Sequence, residues 1–95
     1  MASQVEDITI NYEEEGVQLV KELDKEILSK GAWATILFKY QQFDKKTNGY
    51  GQDLYTIRRY RKIGGEYSPQ SKFNISSNDQ ARKIVEVLSG WLKES

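Results

Sequence analysis

The chain has 95 residues, 14 acidic and 14 basic side chains, and neither cysteine nor histidine. That length allows one small domain with one thin core, and the two missing residue types exclude disulfides, thiolate nucleophiles, Cys-metal sites and the commonest general base at neutral pH. No apolar run reaches the roughly 18 residues of a membrane span, and the opening MASQVEDITI is too acidic and polar for a signal peptide, so the expectation is a soluble cytoplasmic protein that is not an enzyme and holds no metal or cofactor.

Residues 1–16 read as a loosely ordered acidic segment, in which Ile8 and Ile10 could form a short strand ended by Glu13-Glu14-Glu15-Gly16. Residues 17–95 read as a single domain. Its first element, VQLVKELDKEILS (17–29), carries two patterns. Leu19, Val20, Leu23 and Ile27 have helical spacing in a segment of good helix formers. Yet Val17, Leu19, Leu23 and Ile27 also fit one side of a period-2 pattern, with Glu22, Asp24 and Glu26 on the other.

After Lys30-Gly31, WATILFKYQQF is rich in aromatic and β-branched residues and predicts a strand. Its more apolar side is Ala34, Ile36, Phe38 and Tyr40; Trp33, Thr35, Lys39 and Gln41 form the mixed side. DKKTNGYGQ supplies a turn, DLYTIRRYRKI a second strand, Gly64-Gly65 another turn, and QSKFNIS a shorter strand after the only proline, Pro69. Ser77 with Gln80 three positions on is a capping-box pattern. Ala81, Ile84, Val85, Leu88, Trp91 and Leu92 then repeat at helical intervals, predicting an amphipathic helix over about residues 78–92. Its apolar face must cover a sheet or a partner subunit, and Trp91 is expected in the core.

The neutral total conceals segregation. Residues 1–30 carry eight acids and three lysines, a net of −5, whereas residues 31–75 carry eight cations and three acids, a net of +5. A polyanion-binding face and simple mutual neutralisation both fit that asymmetry. In the strand TIRRYRKI, alternation assigns Leu54 and Tyr60 to the core and Tyr55, Arg59 and Arg61 to the open face, although Ile57 falls on the open side too. Trp33 and Lys39 of the preceding strand join that face. Cations that track a phosphate backbone, beside rings on which bases stack, are the ingredients of single-strand nucleic-acid binding. The plainer reading is that the same cations keep a strand face soluble and blunt its edges.

The order of these parts resembles the positive cofactor four family of single-stranded-DNA-binding transcriptional coactivators, which has bacterial members. The resemblance rests on Ile57-Arg58-x-Tyr60, Gly65-Glu66, Pro69, Lys72, Ile75-Ser76 and Gln80, within residues 54–92, with weaker support from 17–43. It implies an α+β fold of four curved antiparallel strands followed by a helix (ββββα), with 17–29 as the first strand. It also implies a homodimer joined through the C-terminal helix (Ile84, Leu88, Trp91), whose sheets and loops bind extended single strands. The family's aromatic after Ile-Arg-x-Tyr is Arg61 here, so stacking would come from Tyr55, Trp33 or Tyr67. A Lys/Arg cluster before Ile-Ser is reduced to Lys72 beside Phe73, which shifts weight onto Lys45, Lys46 and Arg59.

The expected function is therefore non-enzymatic binding of single-stranded nucleic acid, DNA ahead of RNA with both open as ligands, in transcription, replication or repair. Arg59, Arg61, Lys39 and Lys72 would contact phosphates, with Lys45 and Lys46 nearby, while Tyr55 and Trp33 would stack. The alternative is a protein-interaction module for an acidic partner. A third reading, a small carboxylate nuclease, would use Glu22, Asp24 and Glu26 if a strand placed them on one face.

Overall fold

The computed structural model describes residues 2–93. A 3-10 turn (Val5–Asp7) precedes strands β1 (Tyr12–Glu14), β2 (Val17–Ser29), β3 (Trp33–Asp44), β4 (Gly49–Tyr50), β5 (Leu54–Ile63) and β6 (Glu66–Ile75), and helix α1 (Asn78–Lys93) follows. The strands form one curled antiparallel sheet in the order β1-β2-β3-β5-β6, with β4 paired to the end of β3. The class is α+β, as expected. The four expected strands are the long ones; β1 and β4 are short additions that raise the count.

Residues 17–29 form a strand despite their helix-forming composition. β2 runs antiparallel to β3 from Val20↔Gln42 to Ser29↔Thr35, so the ladder offered by a strongly β-forming neighbour overrides a weak local preference. Glu15 (φ 52°) and Gly16 (φ 80°) form the tight turn between β1 and β2, the pair of positive φ values that a two-residue hairpin needs. Glu13 and Glu14 thus extend the sheet instead of ending a strand. Two bulges in β2 absorb Leu23 and Leu28. The first one separates the acids. Glu22 lies opposite Tyr40 on the core side, while Asp24 and Glu26 lie opposite Lys39 and Leu37 on the other, so the three carboxylates do not share a face.

The core sits on one side of β3 and β5. Ala34, Ile36, Phe38 and Thr56 are wholly buried there, joined by Tyr40, Tyr60 and Tyr67. What covers them is the N-terminal segment. Val5, Ile8 and Ile10 are each more than nine-tenths buried against this face. The Lys25 ammonium donates to the carbonyls of Glu6 and Ile8 (2.6 Å each), Thr9 Oγ1 donates to Glu22 Oε1 (2.8 Å), and the Tyr67 amide donates to the Ala2 carbonyl (2.9 Å). The segment expected to be loosely ordered is a strap, and Ile8 and Ile10 do their work outside any strand. The cause is geometric: this sheet face needs an apolar cover, and the helix does not supply one.

Helix α1 begins as its capping pattern predicts. The Gln80 amide donates to Ser77 Oγ (3.0 Å), and Gln80 Oε1 accepts from the Ser76 amide (2.6 Å), one residue before the usual partner. No residue of the helix is buried. Trp91, expected in the core, is 66% exposed, because α1 follows the end of β6, meets the sheet mainly there and buries none of its residues.

If the strap closes the core, Ile8→Ala should lower the unfolding free energy by about 2–4 kcal/mol in urea titrations. That cost is several times the ordinary effect of an exposed residue in a loosely held tail.

Candidate nucleic-acid interface

The face opposite the strap is built by register. β3 and β5 pair without a bulge: Trp33↔Arg61, Thr35↔Arg59, Leu37↔Ile57 and Lys39↔Tyr55. Residues directly opposite point to the same side, so Trp33, Lys39, Tyr55, Arg59 and Arg61 share the open face, while Thr56 and Tyr60 fill the core. Ile57 also lies on the open face, in an apolar row that runs Leu37–Ile57–Phe73 across three strands. Phe73 is half exposed there.

At one end of this face the Arg59 guanidinium carbon lies 4.5 Å from the centre of the Trp33 ring, and that of Arg61 lies 5.4 Å away. The ring's negative quadrupole attracts both cations, and Arg61 gains its position from direct pairing across the ladder. Among the described residues neither arginine has a carboxylate within ion-pair distance. Two charges are thus held in place without being neutralised.

The other expected contacts are spread more widely. Lys39 is engaged by Asp53 (3.5 Å), which also accepts from Gln41 Nε2 (2.9 Å), so its charge is offset locally. Lys45 and Lys46 occupy the exposed β3–β4 turn, where Asp44 Oδ1 caps the Lys46 amide (2.9 Å). They lie at the end of β3 remote from Trp33. Lys72 faces the other way. Between Arg59↔Ser71 and Tyr60↔Pro69 the ladder leaves Gln70 unpaired, and this bulge shifts the register by one, which exchanges the faces of everything beyond it. Lys72 therefore pairs with Arg58 on the core side, and Phe73 arrives on the open side. Tyr67 is not available for stacking either, since it is buried and its hydroxyl donates to the Gly31 carbonyl (2.6 Å).

Sequence reasoning missed Phe73 as part of this face. Unbroken counting back from the Gly64-Gly65 turn puts it opposite Thr56, in the core; only the bulge beside Pro69 moves it. Arg58 was unassigned as well. Its Nε is buried with no hydrogen-bond partner among the described residues. Burial pushes the neighbouring Tyr60 phenol above its ordinary pKa, and the positive charge of Arg58 opposes that rise.

Charge on the open face is graded, because Asp24 and Glu26 of β2 belong to it. Its positive part lies along β5, and its acidic part along β2. Glu6 of the strap pairs with Lys30 (3.4 Å). What the β5 side can do chemically is to offer aromatic and aliphatic surface to flat groups and guanidinium donors to oxyanions.

On a Trp91→Phe background, Arg59→Ala should shift the Trp33 emission to longer wavelength as the ring gains water, while Lys72→Ala, on the opposite face, should leave the spectrum unchanged. No family model, curated protein or solved structure matches the chain.

Proposed function

We infer that the chain binds single-stranded nucleic acid on this open face, as a homodimer, in transcription, replication or repair. The observation that carries the reading is Trp33 beneath Arg59 and Arg61, two cations with no carboxylate partner among the described residues, continuous with the exposed row that ends at Phe73. Rings offer stacking worth about 1–3 kcal/mol per base, whatever the base. Guanidinium groups add a phosphate term that weakens with salt through counterion release. A strand face suits an extended single strand, whereas a duplex major groove admits a helix or a two-stranded ribbon, and the cations here lie on neither an exposed helix nor a free ribbon. The resemblance to the positive cofactor four family supports DNA over RNA as the ligand. It adds no support for Lys72 as a contact on this face, since the bulge at Gln70 puts that side chain on the other.

Dimerisation is supported by α1. Leu88 and Trp91 are 46% and 66% exposed on a helix with no buried residue. A contiguous apolar face of this kind marks an interaction surface, and a second copy would present the same face to it by two-fold symmetry.

Fluorescence anisotropy with labelled oligo-dT tests the first part. Binding should weaken as salt rises, and Arg59→Ala or Arg61→Ala should each reduce the slope of log K against log salt by about 0.7, the single-strand value per phosphate. Trp33→Ala should cost about 1–3 kcal/mol. A folded protein that ignores oligo-dT at low salt would sink the reading. An acidic protein partner, the competing ligand, needs no ring, so its binding should survive Trp33→Ala. Light scattering tests the second part: the wild type should run as a dimer and Leu88→Asp as a monomer.

A further inference from the structure

The far end of the open face repeats the construction found at Trp33. Phe43 of β3 pairs with Tyr50 of β4, and their rings meet edge to face with centroids 5.5 Å apart. Lys21 of β2 pairs with Gln41 on the same side of the sheet, and its ammonium lies 5.2 Å from the centre of the Tyr50 ring. β3 alternates without a bulge from Trp33 to Phe43, so both clusters belong to one face. The Tyr50 hydroxyl donates to the Gln18 carbonyl (2.9 Å), which fixes the ring, and the residue stays 39% exposed. Lys21, like Arg59 and Arg61, has no ion pair among the described residues. Lys45 and Lys46 stand just beyond, in the turn that joins β3 to β4. A purely structural role would account for the ring pair pinning a short hairpin. It leaves unexplained why a lysine with no ion pair among the described residues is held over the exposed ring.

The geometry points to a second nucleic-acid contact made by Phe43, Tyr50 and Lys21, so that one strand is gripped at both ends of β3 and spans the apolar row between them. This rests on the reading that the open face binds single strands, and it adds a length requirement to it. Trp33 and Phe43 are ten positions apart on β3, about 33 Å at ~3.3 Å per residue. Nucleotides rise about 3.4 Å each when stacked and roughly twice that when stretched, so the span corresponds to about five to ten nucleotides. That falls within the range of roughly 4–16 nucleotides typical of a single-strand site on one small domain.

The experiment is anisotropy on the full chain with oligo-dT of increasing length, from about four to about sixteen nucleotides. Affinity should climb until the oligomer bridges both clusters and then level off. Tyr50→Ala should weaken the long oligomers about tenfold, as expected from one lost stacking contact, and the shortest far less, because a strand that reaches one end at a time still finds the Trp33 end intact. Tyr50→Phe should bind like the wild type, and Lys21→Gln should lower the salt slope for long oligomers by about 0.7; neither removes the ring that packs on Phe43. Long-oligomer binding by folded Tyr50→Ala and Lys21→Gln equal to that of the wild type would overturn the second contact while leaving the Trp33 end standing. A wild type that binds no oligomer of any length would overturn both.

Discussion

The uninterrupted pairing of β3 with β5 is the constraint on which the molecule depends. With no bulge between Trp33↔Arg61 and Tyr40↔Leu54, every even residue of the two strands goes to the core and every odd one to the open face. A slip of one residue in β5 would bury Arg59, and a slip of one residue in β3 would expose Phe38 and Ile36. The apolar content of Ala34, Ile36, Phe38 and Tyr40 therefore fixes the exposure of Arg59 and Arg61. Core formation and presentation of the cations are one event.

The neighbouring strands use bulges to depart from that rule. In β2 the extra residues Leu23 and Leu28 let a long strand follow the curl of the sheet and send Glu22 to the core side, where it fastens the strap through Thr9 and Ile10. In β6 Gln70 performs the reverse exchange, bringing Phe73 out and turning Lys72 in. Strong local twist is the usual companion of such insertions, which agrees with the curled shape.

Much of this was legible in the chain. The β-rich run after Gly31 announced β3 and its two faces, and alternation in TIRRYRKI placed Tyr60 inside and Arg59 outside correctly. Ser77 and Gln80 marked the helix start. Three things left no trace. Bulges have no sequence signature at Leu23 or Gln70, so the faces of Glu22, Lys72 and Phe73 could not be counted. Ile8 and Ile10 have a strand's spacing over two positions only and Val5 does not continue it, so a strap that works by filling a gap reads as a loosely ordered tail. The apolar stripe of α1 has the right spacing for a core, but spacing says only that Trp91 and Leu88 need a cover, never which surface provides it.

The strap also sets the order in which this domain can be completed. Its first hydrogen bond joins Ala2 to Tyr67, and its apolar side chains rest on a surface that exists only after β3, β5 and β6 have paired. During synthesis the segment emerges ahead of β3, β5 and β6, yet its native contacts are among the last that can form, because closing so long a loop is slow until the intervening hairpins are in place. Until β6 emerges, Phe38 and Ile36 have no cover of their own. Between the pairing of β3 with β5 and the completion of β6 the nascent chain therefore carries an open, apolar sheet face, a window in which a chaperone or a second nascent copy competes with the strap.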